Sequence, residues 1–298
     1  MYKLVPLENE PVLFAIPLFL LLIGIELYVN FKEQKNLYNK GEAWSSIAMG
    51  LGSVVIDLLM KGLAYGAFSI LYQHRLFDLG WQWWVIVLAF FADDFTFYWH
   101  HRLSHEVRIL WAAHVNHHSA QSLNFAVALR QSWGELLYKY FFWLWMPLFG
   151  FSPLLILMLM SFSLIYQFWT HTELIQKLPA WFEAIFNTPS HHRVHHASNI
   201  RYLDRNHAGI LIIWDRLFGT FSEEKDFEKP IYGITKNIET NNPFIIATHE
   251  FLDLWHDVHS TPHWGDKLGY LFMPPGWSPD GPDLRAKTLR EQLAKKEV

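Results

Sequence analysis

Twelve of the chain's 17 histidines lie between His100 and His207, and most stand at metal-ligand spacings. They read His101-Arg-Leu-Ser-His105, then His114-Val-Asn-His117-His118, then a single His171, then His191-His192-Arg-Val-His195-His196. On a helix, residues three and four apart share a face, so His101 with His105 and each H-x-x-H-H triplet aim their imidazoles one way. Neutral imidazole is the commonest metal ligand near physiological pH. A first-row ion takes at most about six ligands, and a catalytic site usually takes about three of them from protein. A cluster of this size therefore implies two ions. The candidate ligands are His101, His105, His114, His117, His118, His171, His192, His195 and His196. His100 and His191 stand beside better-placed neighbours and are read as supporting groups. His256-x2-His259-x3-His263 has a similar rhythm, but Pro262 interrupts it, so those positions are expected in solvent.

All-imidazole sets suit zinc, copper, iron or nickel. A hydrolytic zinc site usually carries H-E-x-x-H, and here His105-Glu106 is followed by Ile109. Two redox metals beside an apolar bundle suit O2 activation against an unactivated C–H bond of a lipid, and iron fits best. Zinc would compete for the same rings during overexpression. Zero Cys excludes disulfides, thiolate ligands and Cys nucleophiles.

The elements that must position these residues are read from composition and hydropathy. Hydrophobic residues make up 51% and charged residues only 17%, against about 25% charged in a typical globular domain. Fifteen Trp and 24 Phe point to a membrane protein with aromatic belts. Mean hydropathy is only +0.08, so the apolar residues must be concentrated in part of the chain. The net charge of -4 argues against nucleic acid as a partner. Spans are expected near 12–29, 43–72, 81–100, 133–149 and 152–170, the last two as a hairpin broken by Pro147, Gly150 and Pro153. The first is read as a retained span because the residues before it lack a basic n-region. Asp57 and Lys61, four apart in the second, are read as a mutually neutralising pair.

The expected fold is all-α, one domain over 1–298: a polytopic membrane bundle of four to five spans with a histidine-rich helical cap formed by 101–132 and 171–298. A hairpin that starts after His118 and ends at His171 returns to the side it left, so all the histidine clusters meet at one membrane face. Lys32, Lys35 and Lys40 lie on that face and only Arg75 on the other, which makes the histidine face cytoplasmic. Residues 284–296 are expected as either a short amphipathic helix or a frayed, solvated end.

The clusters, followed by Ile213-Trp-Asp-Arg-Leu-Phe-Gly-Thr-Phe221, resemble the fatty acid hydroxylase/sterol desaturase superfamily of membrane di-iron oxygenases. The resemblance runs from about residue 90 to 221. His105-Glu106, Ala126-Val-Ala-Leu-Arg-Gln-Ser, Gln167-Phe-Trp-Thr-His-Thr-Glu173 and Asn187-Thr-Pro-Ser-His-His resemble its glyceryl-ether (alkylglycerol) monooxygenase branch. That branch uses tetrahydrobiopterin and hydroxylates the carbon next to the ether oxygen, releasing an aldehyde. The resemblance implies two irons, O2, a lipid substrate and a pterin donor, with Glu106 and Gln167 at the catalytic site. Arg130 and Gln131 become candidates to contact pterin or headgroup. Asp93, Asp94, Glu106, Glu173 and Asp204 are candidates to accept hydrogen bonds from ligand N–H groups. Two departures stand out: Gln167-x3-His171 replaces an H-x3-H pair, and Asn206-His207-Ala208 makes His207 either an added ligand or a supporting group. The alternatives are a sterol or fatty acid hydroxylase or desaturase fed by a redox protein, and a histidine-rich metal transporter. The transporter would need ligands strung along a transmembrane path.

Overall fold

The computed structural model describes residues 10–296; residues 1–9, which hold the sequence before the first span, and 297–298 lie outside the described residues. Among the described residues the chain is helical, with isolated bridges such as Phe186 to Leu211 in place of strands. Helix α1 (Pro11–Glu33) starts on a proline, whose missing N–H costs nothing in a first turn. In α2 (Lys40–Gln73) the Asn39 side chain accepts from the Gly41 and Glu42 amides. Both helices are long and apolar enough to cross a bilayer. Phe14, Leu20, Leu51, Val55 and Leu59 point outward along them. A soluble protein rarely exposes so continuous an apolar surface, which marks both helices as candidate membrane spans.

Helix α3 (Trp83–Glu106) starts apolar and ends in the first histidine pair. Val107, in extended conformation, turns the chain into α4 (Arg108–His118). Helix α7 (Pro153–Phe168) is shorter than the other candidate spans. The cap adds α8 (Ala180–Glu183), α9 (Pro189–His195), α10 (Ile213–Phe218), α11 (Pro243–Ser260), α12 (Trp264–Phe272) and α13 (Ala286–Lys296). The last realises the helical one of the two alternatives for the tail, and Arg290 ties it to the Leu203 carbonyl.

Residues 133–149 differ from expectation. Instead of one continuous leg they form α5 (Trp133–Leu136), a 3-10 turn (Lys139–Trp143) and α6 (Trp145–Leu148). Polar hooks explain the break. Lys139 Nζ and Tyr140 OH both donate to Asp57 Oδ1, at 2.9 and 2.8 Å. Trp143 Nε1 donates to Asp93 Oδ1 at 2.7 Å, and Trp145 Nε1 to Thr96 Oγ1 at 3.1 Å. Each bond pins one residue to α2 or α3, and Pro147 lacks the amide a helix needs. Hydropathy cannot see these hooks. The Asp57–Lys61 pair does form, at 3.2 Å, within a network that also includes Glu10 and Lys139.

The core under the cap joins Phe68, Val85, Ala89, Tyr140, Trp143, Met146 and Ile156 from α2, α3, α7 and the broken leg. Phe19 of α1 stacks on Phe168 of α7, which stacks on Phe125, with centroids 4.0 and 5.3 Å apart. Gly52 lets the Trp133 ring lie on α2: an added Cβ there would meet the indole at 2.6 Å. Trp133 Nε1 completes the contact by donating to the Met49 carbonyl.

Candidate metal centre

The nine candidate ligands converge in two groups. His101, His105, His114, His118 and His195 form one, and His117, His171, His192 and His196 the other. Within each, the available ligand atoms all lie within 4.8 Å of one another. Helix periodicity produces the division. His101/His105, His114/His118 and His192/His196 are i,i+4 pairs, and each pair stays within one group. His117 and His195 stand next to a pair member, about 100° round the helix, and so face the other group. Helix α4 thus gives two rings to the first group and one to the second, and α9 together with its C-cap residue His196 does the reverse. His171, just past the end of α7, completes the second. The sets are neighbours, with the His118 and His196 ring centroids 4.5 Å apart.

The surroundings fix which nitrogen each ring offers. His101 Nδ1 lies 2.8 Å from the His207 carbonyl, His117 Nδ1 3.0 Å from that of Arg130, His171 Nδ1 2.9 Å from that of Gln167 and His195 Nδ1 2.9 Å from that of Arg205. A carbonyl can only accept, so these Nδ1 atoms carry the proton and the Nε2 lone pairs face inward. His114 Nδ1 meets Glu135 Oε2 at 2.7 Å, and His105 Nδ1 meets Asp204 Oδ1 at 3.3 Å.

Inward-facing Nε2 atoms then crowd together. The His101–His114 pair is 3.1 Å apart, His117–His171 3.2 Å and His171–His192 2.9 Å. Lone pairs cannot satisfy one another at that range, and the buried Nε2 atoms of His105 and His195 have no hydrogen-bond partner among the described residues. Ligands of one ion with metal–nitrogen bonds of about 2.1 Å stand at such separations. The donor set therefore fits a metal in each group. Burial, reinforced by the neighbouring imidazoles, lowers the pKa of His117, His118, His192, His195 and His196 well below the ordinary value, and burial brings His171 to about 4. The rings stay neutral, as ligands must.

The Trp-Asp-Arg-Leu-Phe-Gly segment supports this arrangement from outside. Asp215 accepts from the His207 and Ala208 amides, both at 2.8 Å, and from Thr220 Oγ1 at 2.6 Å. That clamp sets the His207 carbonyl under His101. Asp94 holds the next stretch through the Ile210 and Leu211 amides and Trp214 Nε1. Gly219, at φ 74, ends α10 in the left-handed region that suits glycine.

The other candidates sit around the groups. Glu106 pairs with Arg102 at 2.9 Å on the rim. The Gln167 amide donates to Ser163 Oγ, and its contribution to the site is the carbonyl that holds His171. Arg130 is fully buried, with its guanidinium donating to Ser45, Ser46 and Ser119 hydroxyls and its carbonyl holding His117. It lines a polar cavity of about 420 Å³ with Asn39, Glu42 and Asn241. Gln131 instead turns its side chain to the Ala128 carbonyl. Asp93 and Asp94 bind indole and backbone groups, so of the acids expected to steady a ligand, Asp204 is the one that does. Glu173 makes no ring contact; burial raises its pKa, and Arg193 opposes this. His100 packs among Phe97, Tyr138, Phe142 and Trp143. His191 packs on Phe221. His207 lies beside the first group, outside the ligand set, and neither ring nitrogen has a hydrogen-bond partner among the described residues. His256, His259 and His263 are exposed, as expected.

Sequence reasoning missed Glu135 and Glu26. Glu26, near the end of α1, accepts from Tyr38 OH at 2.5 Å, from the Phe125 amide at 2.7 Å and from Thr172 Oγ1. It thereby ties the first span to the segment carrying His171. Its only sequence signal is a carboxylate in an apolar run.

Comparison with known proteins relates these histidines to a known class: residues 86–220 match the model of the fatty acid hydroxylase family. Over most of its length it is homologous to alkylglycerol monooxygenases. It is 39% identical to that of Xenopus tropicalis over 89% of this chain and 59% of the relative. It is 38% identical to that of Homo sapiens over 95% of this chain and 64% of the relative. An ornithine lipid hydroxylase of Rhizobium tropici is 30% identical over 51% of this chain and 46% of its own. The chain spans about three fifths of the length of the alkylglycerol monooxygenases it matches. No solved structure matches it.

Proposed function

We propose that this protein is a membrane di-iron monooxygenase that hydroxylates a lipid alkyl chain with O2, its substrate a glyceryl ether cleaved to an aldehyde. The carrying observation is the pair of buried imidazole groups, five rings and four, set within the segment that matches the fatty acid hydroxylase family. His101, His105, His114, His118 and His195 would hold one iron, and His117, His171, His192 and His196 the other. When bound, the irons supply the redox chemistry by which O2 is activated for insertion into a C–H bond.

The chain's own residues prepare the site. The His207, Arg130, Gln167 and Arg205 carbonyls, with Glu135 and Asp204, keep Nδ1 protonated and Nε2 free. Burial of the histidine groups excludes bulk water, which protects a reactive centre from side reactions. Exposed apolar helices beside it keep a lipid tail in a suitable solvent. The proposed orientation puts the cap in the cytoplasm, where soluble donors are available. Reduced tetrahydrobiopterin is the proposed donor, with Arg130 and its polar cavity as the candidate contact. Glu106, on the rim beside Arg102, is proposed to act at the catalytic site, and Gln167 to act through the ring it orients.

The test is conversion of an alkylglycerol to fatty aldehyde by lipid-reconstituted, iron-loaded protein under O2, with reduced pterin, a ferredoxin or a cytochrome as donor. Aldehyde formation supports the assignment. Hydroxylation of a sterol or fatty acyl chain with the ether untouched replaces it with the general lipid hydroxylase reading.

A further inference from the structure

We propose that α11 and α12 form a docking surface for the bilayer interface, lying on the membrane face that carries the histidine cap. Phe244, Thr248, Leu252, Trp255 and His259 step by three or four residues along α11, with Ile245 and His256 beside them, and all are exposed. Leu252 and Trp255 are 65% and 67% exposed. This stripe contains no charged side chain. The acids of α11 lie elsewhere: Glu250 and Asp257 turn to Arg108 at 3.1 and 2.6 Å, and Asp253 stands on the flank. In α12, Trp264, Leu268 and Phe272 repeat every four residues and are 76%, 53% and 59% exposed. Lys267 Nζ lies 5.2 Å from the Trp264 ring centre, so the cation sits beside the aromatic. Aromatics, aliphatics and a lysine on one face are the composition of a helix lying in the interface plane.

Position on the fold identifies lipid as the occupant. The start of α11 is bound to the flank of α2: Ile246 is buried with Met49, and Phe244 packs edge-on to Trp133, 5.4 Å between centroids. At that level α2 carries exposed Trp44, Ile47 and Leu51, the beginning of its outward apolar row. The broken leg adds exposed Leu137 and Phe141. The α11 stripe thus continues the lipid-facing surface of the spans. The opposite face of α11 holds α4, so docking would set the height of His114, His117 and His118 above the hydrocarbon.

The chain has no cysteine, so single spin labels can be placed without altering its background. The experiment uses the full chain in phosphatidylcholine nanodiscs with Leu252→Cys, Trp255→Cys, Leu268→Cys or Phe272→Cys, and Asp226→Cys on the cap as the aqueous reference. These side chains are exposed, so cysteine replaces little packing. Docking predicts that labels on α11 and α12 collide with dissolved oxygen several-fold more, and with a water-soluble nickel complex several-fold less, than the label at 226. Equal nickel access at all positions overturns the proposal. Shielding from both reagents also overturns it, because a protein surface, such as a second copy, would then cover the face.

Discussion

Glu135 Oε2 and His114 Nδ1 stand 2.7 Å apart, and Glu135 Oε1 lies 3.5 Å from His100 Nε2, so one half-buried carboxylate from the broken leg orients a ring of the first group. Losing such an outer partner typically weakens metal binding about 10–100-fold. Glu135→Gln keeps the shape and removes the charge. It should lower metal retention against a chelator by that order while leaving helix content unchanged. Unchanged retention would show that His114 is oriented without it.

Asp215 holds two buried amides and a hydroxyl without being one of the candidate ligands. Each buried donor left unpaired costs about 1–3 kcal/mol. Asp215→Ala should therefore lower the melting temperature and, by releasing the His207 carbonyl from under His101, reduce bound metal as well. A variant with wild-type melting and full metal content would contradict the proposed support chain.

Acidification should separate metal-free from metal-loaded protein. An unfolded imidazole takes its proton near about pH 6.5, whereas His171 stays neutral to about 4 because it is buried. His117, His118, His192, His195 and His196 are depressed in the same direction. Below about 6.5 the unfolded chain binds more protons than the folded one, so stability contributed by these groups is present above that pH and falls on acidification. Metal on the neutral rings opposes protonation and unfolding together. Thermal melts across this range should show the chelated protein destabilised at higher pH than the loaded one. Coincident profiles would mean that the rings bind no metal.

The electron donor gives a separate outcome. Reduced pterin alone should sustain aldehyde formation, and Glu106→Gln should reduce turnover more than it reduces metal content. Turnover that requires a ferredoxin or cytochrome and ignores pterin would remove the ether-cleaving assignment.

The histidine groups were legible because helical spacing is local: His114/His118 and His192/His196 read directly as shared faces. His171 was legible from its place at the end of an apolar run. The division into five and four follows from the same periodicity once the helices meet. Glu135, Glu26 and the Arg130 carbonyl were not legible, because their partners are distant in sequence or are backbone atoms. The 133–149 segment misled because hydropathy registers its apolar side chains and not the hydrogen bonds from Lys139, Tyr140, Trp143 and Trp145 that fold it into short turns. Arg130 reads as a candidate contact for pterin or headgroup, and the sequence does not show that its side chain is buried among three serines.

Metal stoichiometry of active, lipid-reconstituted protein is the most direct test of the central claim. Two irons per chain are expected, with two retained in His256→Ala, fewer in His118→Ala or His195→Ala, and turnover lost in both of the latter. One metal or none in fully active wild-type protein would contradict the dimetal account.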